Sequence, residues 1–158
     1  MTSEAVLWTS ALMAFLHHLA AFTLTAAIIY EHTTFRKDLS LRDARRIQIM
    51  DIVYGISAGV VVIVGLLRVF YFEKGAPFYA QNWFFWTKMF GFALAALLSI
   101  YPTIRFVAWR KSLARNAVPE ISEREVSRIK LILRLELAAI ALILFSAAMM
   151  ARGVGMMT

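Results

Sequence analysis

Three histidines, one lysine and one arginine carry most of the chemistry open to this chain. His17 and His18 adjoin in the middle of the apolar stretch 6–30, Arg68 lies near the end of the stretch 47–70, and Lys88 sits within 83–107. An ionisable group at bilayer depth has no water to turn to, so it usually faces a bundle interior and marks a site. The chain has no cysteine, which excludes thiolate metal sites, iron–sulfur ligation and disulfides and leaves redox chemistry to a bound cofactor. A haem needs one or two axial ligands and an apolar slot, which a helical bundle supplies. His18 is therefore a candidate ligand for haem iron. The alternative is an imidazole hydrogen-bonded across helices, and other metal or proton roles stay open.

Spacing narrows these roles. About 12 residues of helix precede His18, roughly 18 Å of rise, which places it near the middle of a ~30 Å hydrocarbon core. His18, Thr25 and His32 are seven and seven apart, about 700° of helix per step, so they share one face, expected to look into the bundle. His17 is turned by ~100° and points to a neighbouring helix or donates to a carbonyl. With three histidines in all, two bis-histidine haems are excluded and one haem is allowed. His32 lies about 21 Å along the axis from His18, too far for the same iron. A sixth ligand would be His17 of a second copy in a homo-oligomer, a methionine or Lys88.

Lys88 falls about 7 Å inside its helix, on the same side of the membrane as Arg68. Either its stem lies along the helix and its ammonium reaches the headgroups, or it meets a negative group in the bundle. A haem standing along the bilayer normal would turn its propionates toward Lys88 and Arg68, with Tyr71, Tyr79 and Asn82 as further donors, and an arginine fork suits a carboxylate. Gly55 and Gly59, spaced as Gly-x-x-x-Gly, allow either close helix packing or room for a flat macrocycle. A second polar set, Glu31, His32, Asp51, Arg105, Arg134 and Glu136, offers divalent-metal ligands, but its arginines favour ion pairing. Glu136 is expected to pair within the bundle.

The elements that must hold these groups are plain in the hydropathy. Of 158 residues 61% are hydrophobic, against roughly 45–50% in soluble domains. The stretches 6–30, 47–70, 83–107 and 129–150 each supply the ~20 residues needed to span a bilayer. They predict one all-α domain over 1–158, an up-down four-helix membrane bundle with helices at about 6–30, 47–70, 83–107 and 123–150. The first stretch is too long for a signal-peptide core and lacks a basic leader, so it is expected to be retained. Short connections favour antiparallel neighbours for helices 1–2 and 2–3. Lys74-Gly75-Ala76-Pro77 breaks the pattern between the second and third helices, and Pro102 is a kink candidate in the third. Ser122 and Glu125 read as a capping box opening the fourth.

The net charge of +7 would suggest nucleic acid in a soluble protein, but here its placement argues against it. Arg36, Lys37, Arg42, Arg45 and Arg46 crowd the first connection, and Arg110, Lys111, Arg115, Arg124 and Arg128 the third. The middle connection has only Lys74. The positive-inside rule then puts the first and third connections in the cytoplasm, against anionic headgroups, and both termini outside, in the periplasm of a Gram-negative cell. Trp8, Trp83, Trp86 and Trp109 fall near helix ends, as an interfacial aromatic belt predicts.

Three stretches carry a likeness to known proteins: Leu16-His17-His18, the run from Arg45-Arg46-Ile47-Gln48-Ile49-Met50 through Val64-Gly65-Leu66, and Phe85-Trp86-Thr87-Lys88. On these the chain resembles a group of small uncharacterised bacterial four-helix membrane proteins and, more distantly, the HemJ-type protoporphyrinogen oxidases. The resemblance covers roughly the first three helices. It implies b-type haem held by His18 or His17, a functionally required lysine at Lys88, and oxidation of protoporphyrinogen. The chain departs from that family where helix 1 continues into Thr25 and Tyr30-Glu31-His32-Thr33, in place of an aromatic and a Leu-Pro-Arg stretch. The expected protein is thus a multi-pass inner-membrane protein of bacteria, with one haem b on His18 and with Lys88 and Arg68 serving propionates or an anionic substrate. A porphyrin or other small-molecule reductant is the expected partner within the bilayer, and nucleic acid is not. The other readings are a haem carrier without turnover, a small metal or proton transport component using Asp51, Glu136 and His32, and a structural membrane subunit.

Overall fold

A computed structural model describes residues 3–72 and 75–157; Lys74, the lone basic residue of the middle connection, lies outside them. Four helices are long and apolar enough to cross a membrane: α1 (Ser3–Thr34), α2 (Leu41–Leu67), α4 (Trp83–Ala108) and α6 (Glu123–Ala151). In hydrocarbon every backbone amide must find its partner within the chain, which is why apolar stretches of this length are helical. α2 runs on into a π-helical turn, Arg68–Phe72, and two one-turn helices, α3 (Ala76–Ala80) and α5 (Arg110–Ala114), lie in the connections.

Side-chain caps set the helix starts. Ser40 accepts from the Asp43 amide at 3.0 Å and opens α2 earlier than hydropathy alone suggests, and Asn82 accepts from Phe84 at 2.9 Å to open α4. At α6, Ser122 accepts from the Glu125 amide at 3.2 Å. The expected second half of the capping box is replaced: Arg105 Nε and Nη2 donate to the two oxygens of Glu125 at 2.7 and 2.9 Å. A bidentate ionic pair outbids a single bond to an amide. Pro102 sits inside α4, which continues to Ala108.

Sequence neighbours do not all become packing neighbours. α1 packs along α2 and α4 along α6, and the two hairpins meet chiefly through a smaller α1–α6 contact. α2 and α4, expected to lie side by side, touch along little of their length. Small residues explain the difference. A Cβ on Gly91 would come within 2.8 Å of Ile143 Cγ1, so this glycine lets α4 close on α6. A Cβ on Gly55 or Gly59 would meet nothing within 4 Å, so the Gly-x-x-x-Gly of α2 borders open space and not a packed helix.

The core concentrates at the end carrying the basic connections. There Phe35, Phe106 and Trp109 cluster, with Phe35 and Trp109 stacked at 6.2 Å and 9°, above Ile47, Ile129 and Leu133. Trp109 is 3% exposed, which corrects its assignment to an interfacial belt; Trp8, Trp83 and Trp86 are exposed as expected. Arg45 ties this end together, donating to Leu113 O at 3.2 Å and Asn116 Oδ1 at 2.6 Å, while Gln48 donates to Phe106 O at 2.8 Å. At the opposite end the tail after α6 folds back on the start of α4. Trp83 N donates to Gly155 O (2.9 Å), Met157 N to Gln81 O (2.8 Å) and Asn82 Nδ2 to Val154 O (3.0 Å). Gly155 holds φ +86°, and a Cβ there would lie 2.6 Å from Phe84 Cδ2.

Candidate functional site

The buried face of α1 is Ala20, Leu24, Ala27, Ile28 and Glu31, with Phe35 just past its end, and His17 continues it upward. His17, Leu24 and Glu31 therefore form the inward seven-residue series. This corrects the expectation for His18, Thr25 and His32. His18 is exposed, with Nδ1 donating to Ala14 O at 2.6 Å; His32 is half-buried, and Thr25 only borders the cleft described below. His17 and His18 stand edge-on, 6.0 Å apart at 86°. A rotation of ~100° separates the two series, and packing against α2 selects the one beginning at His17.

Around His17 the two hairpins converge. Its ring lies against Gly65 of α2, where a Cβ would come within 3.1 Å of Cε1. His17, Gly65, Phe85, Lys88, Met89 and Phe92 line a small cavity of about 30 Å³. Lys88 thus lines the same cavity as the imidazole, and the charges of Lys88 and Arg68 both act on His17. The Nδ1 of His17 is buried and has no hydrogen-bond partner. The Val61 backbone is within hydrogen-bonding reach of the ring; an imidazole so placed can ligate a metal through an unprotonated nitrogen, and two cations beside it favour an anionic group.

Directly below lies a larger space, the cleft between α2 and α4, of about 630 Å³. Val61, Val62, Met89 and Phe92 line both cavities, so the two adjoin. Gly55, Ala58 and Gly59 on α2 and Ala93, Ala95 and Ala96 on α4 form its walls. Its volume falls within the roughly 300–1,000 Å³ of small-molecule sites, and its walls are mostly apolar, as such sites are.

At the far end of this cleft are Tyr54 and Thr103. Each donates to a carboxylate behind it: Thr103 Oγ1 to Asp51 Oδ1 at 2.7 Å and Tyr54 OH to Glu136 Oε1 at 3.4 Å. Glu31 (2% exposed), Asp51 (7%) and Glu136 (1%) are all buried. The ion pairing expected for this set does not form. Arg105 is held by Glu125, Arg134 is exposed, and Glu136 has a phenol for its partner. Among the described residues no group of three or more histidine and carboxylate side chains is arranged to hold a metal ion. Tyr54 and Thr103 were not singled out in the sequence; the spacing of Asp51 and Tyr54, three apart and hence on one helix face, was the available clue.

The family model described as a predicted membrane protein, DUF2214, matches residues 9–155. No curated protein and no solved structure matches the chain.

Proposed function

We propose that this chain, which belongs to the DUF2214 family of predicted membrane proteins, binds one b-type haem or a related porphyrin in the cleft between α2 and α4. The observation carrying this reading is the inward imidazole of His17, with a buried unpartnered nitrogen, flanked by Lys88 and Arg68 at the head of a slot walled by glycine and alanine. The residues fit the group. His17 would supply the iron-binding nitrogen in place of His18, Lys88 and Arg68 would supply the cations that propionates need, and Gly55 and Gly59 leave room for a flat ring. The 30 Å³ beside the imidazole is too small for a macrocycle, so the larger cleft next to it would have to hold the ring within reach of His17. Bound there, a haem supplies one-electron chemistry, which makes a redox role, including a porphyrinogen-oxidase-like one, the function proposed. The chain's own part is to orient the ring, hold its acidic edge and keep water from its faces.

The same proposal includes the setting: a bacterial inner membrane, basic connections in the cytoplasm, His17 and Lys88 toward the outer face. Because the chain has no native cysteine, single cysteines placed at Asn116 and Gln81 report sidedness without background. For the haem, absorption of the detergent-purified protein is the test. A Soret band with b-type bands on reduction is expected, lost in His17→Ala and kept in His18→Ala and His32→Ala. Lys88→Ala and Arg68→Ala are expected to weaken haemin uptake without abolishing the band. Colourless protein that takes up no haemin overturns the reading.

A further inference from the structure

The buried carboxyls lie outside the site assigned to the porphyrin, and nothing in that assignment employs them. Glu31 comes from α1, Asp51 from α2 and Glu136 from α6, three helices that converge on one dry region. The charges acting on Glu31 are those of Asp51 and Glu136, both acidic. Asp51 and Tyr54 face Glu136, and Thr103 faces Asp51. The basic groups closest in sequence are otherwise placed: Arg105 is bound to Glu125, Arg134 is exposed, and the half-buried His32 adjoins Glu31 on another face of α1. Oε1 of Glu31 and Oε2 of Glu136 are buried with no hydrogen-bond partner. Ionised carboxylates without a cation are costly in such surroundings, and shared protons relieve both the charge and the missing donors.

The hydroxyls give this cluster a way out. Tyr54 and Thr103 each line the cleft on one side and hydrogen-bond a buried carboxylate on the other. We infer that Glu31, Asp51 and Glu136 form a proton-binding site that exchanges with the cleft through Tyr54 and Thr103. A proton arriving in the cleft adds to a hydroxyl oxygen while that hydroxyl passes its own hydrogen to the carboxylate behind it. The carboxylate becomes an acid, the hydroxyl is unchanged, and the reverse sequence returns the proton. The site stands on the cleft and its carboxyls alone and does not depend on a haem.

Infrared spectroscopy of the full-length protein in detergent tests this directly, since a protonated carboxyl has its own C=O stretch, which moves in D2O. At neutral pH the protein is expected to show this band. Glu31→Gln and Glu136→Gln should each remove one carboxyl's share, and Glu120→Gln, on the exposed connection, should remove none. Tyr54→Phe combined with Thr103→Val should keep the intensity and slow its shift after transfer into D2O. Far-UV circular dichroism establishes that each variant is folded, and Glu31→Gln carries the test if Glu136→Gln is not. A folded parent without the band, or a band that neither glutamine substitution diminishes, overturns the proton site. Unchanged exchange in the hydroxyl double variant overturns its connection to the cleft. The glutamine substitutions assign the band to named side chains, apart from any haem propionates, so failure here is distinct from failure of the porphyrin assignment.

Discussion

Substituting alanine for glycine at three places separates an open cleft from a closed one. At Gly91 the new methyl would sit 2.8 Å from Ile143 Cγ1 and 3.5 Å from Ala139 O, one contact far inside van der Waals distance. Overpacking of this kind costs about 1–3 kcal/mol. Replacing a helical glycine by alanine returns up to about 1 kcal/mol of backbone entropy. Gly91→Ala should therefore range from near neutral to about 2 kcal/mol destabilising. At Gly55 and Gly59 the same methyl meets nothing within 4 Å, so only the gain remains and both variants should be as stable as the parent or more so. Ile143→Ala removes both carbons that crowd position 91, and combined with Gly91→Ala it should recover stability relative to the sum of the single changes. Equilibrium unfolding in mixed micelles, followed by far-UV circular dichroism, gives the ordering. If Gly55→Ala or Gly59→Ala destabilises as much as Gly91→Ala, α2 is packed against α4 and the cleft does not exist.

Other perturbations probe the ends of the bundle. Leu133→Ala, at a fully buried core position, should cost about 2–5 kcal/mol in the same assay. Ser122→Ala removes the α6 cap and should cost about 0.5–2 kcal/mol, whereas Glu125→Gln should spare that cap and lose the Arg105 pair. Gly155→Ala forces a left-handed residue and a clash with Phe84, so hydrogen exchange should speed up at the Trp83 and Met157 amides and stay slow in α1. The Glu123 carboxylate beside Lys37 holds its ammonium above the ordinary value of 10.5. A raised folded value means that the pair's support is complete below that pH and lost as pH climbs through the higher folded value. The pair is fully exposed, so Lys37→Met should change stability little at neutral pH.

The four crossings were legible because hydrocarbon demands length and apolarity, and both are written in the residues. The phase of α1 was not. A helix surrounded by lipid and other helices is apolar all round, so its few polar residues must set the rotation, and here two series compete one residue apart. His18, Thr25 and His32 made the more regular pattern, yet the flat side that packs on Gly65 begins at His17. Side-chain volumes across two helices decide this, and periodicity along one does not contain them. The acidic set was visible as a group of residues, but not its lack of cations, because Arg105 is claimed by Glu125, twenty residues further along. The small residues of α2 stand out in the sequence, and whether they mark contact or vacancy depends on Gly91, which draws α4 the other way.

Two hairpins joined mainly along α1 and α6 resemble the covers of a book with a narrow spine. Rotation about that spine disturbs the smallest of the major helix contacts and leaves each hairpin whole. Swinging the covers apart would widen the gap between α2 and α4 toward the surrounding lipid without unfolding either hairpin.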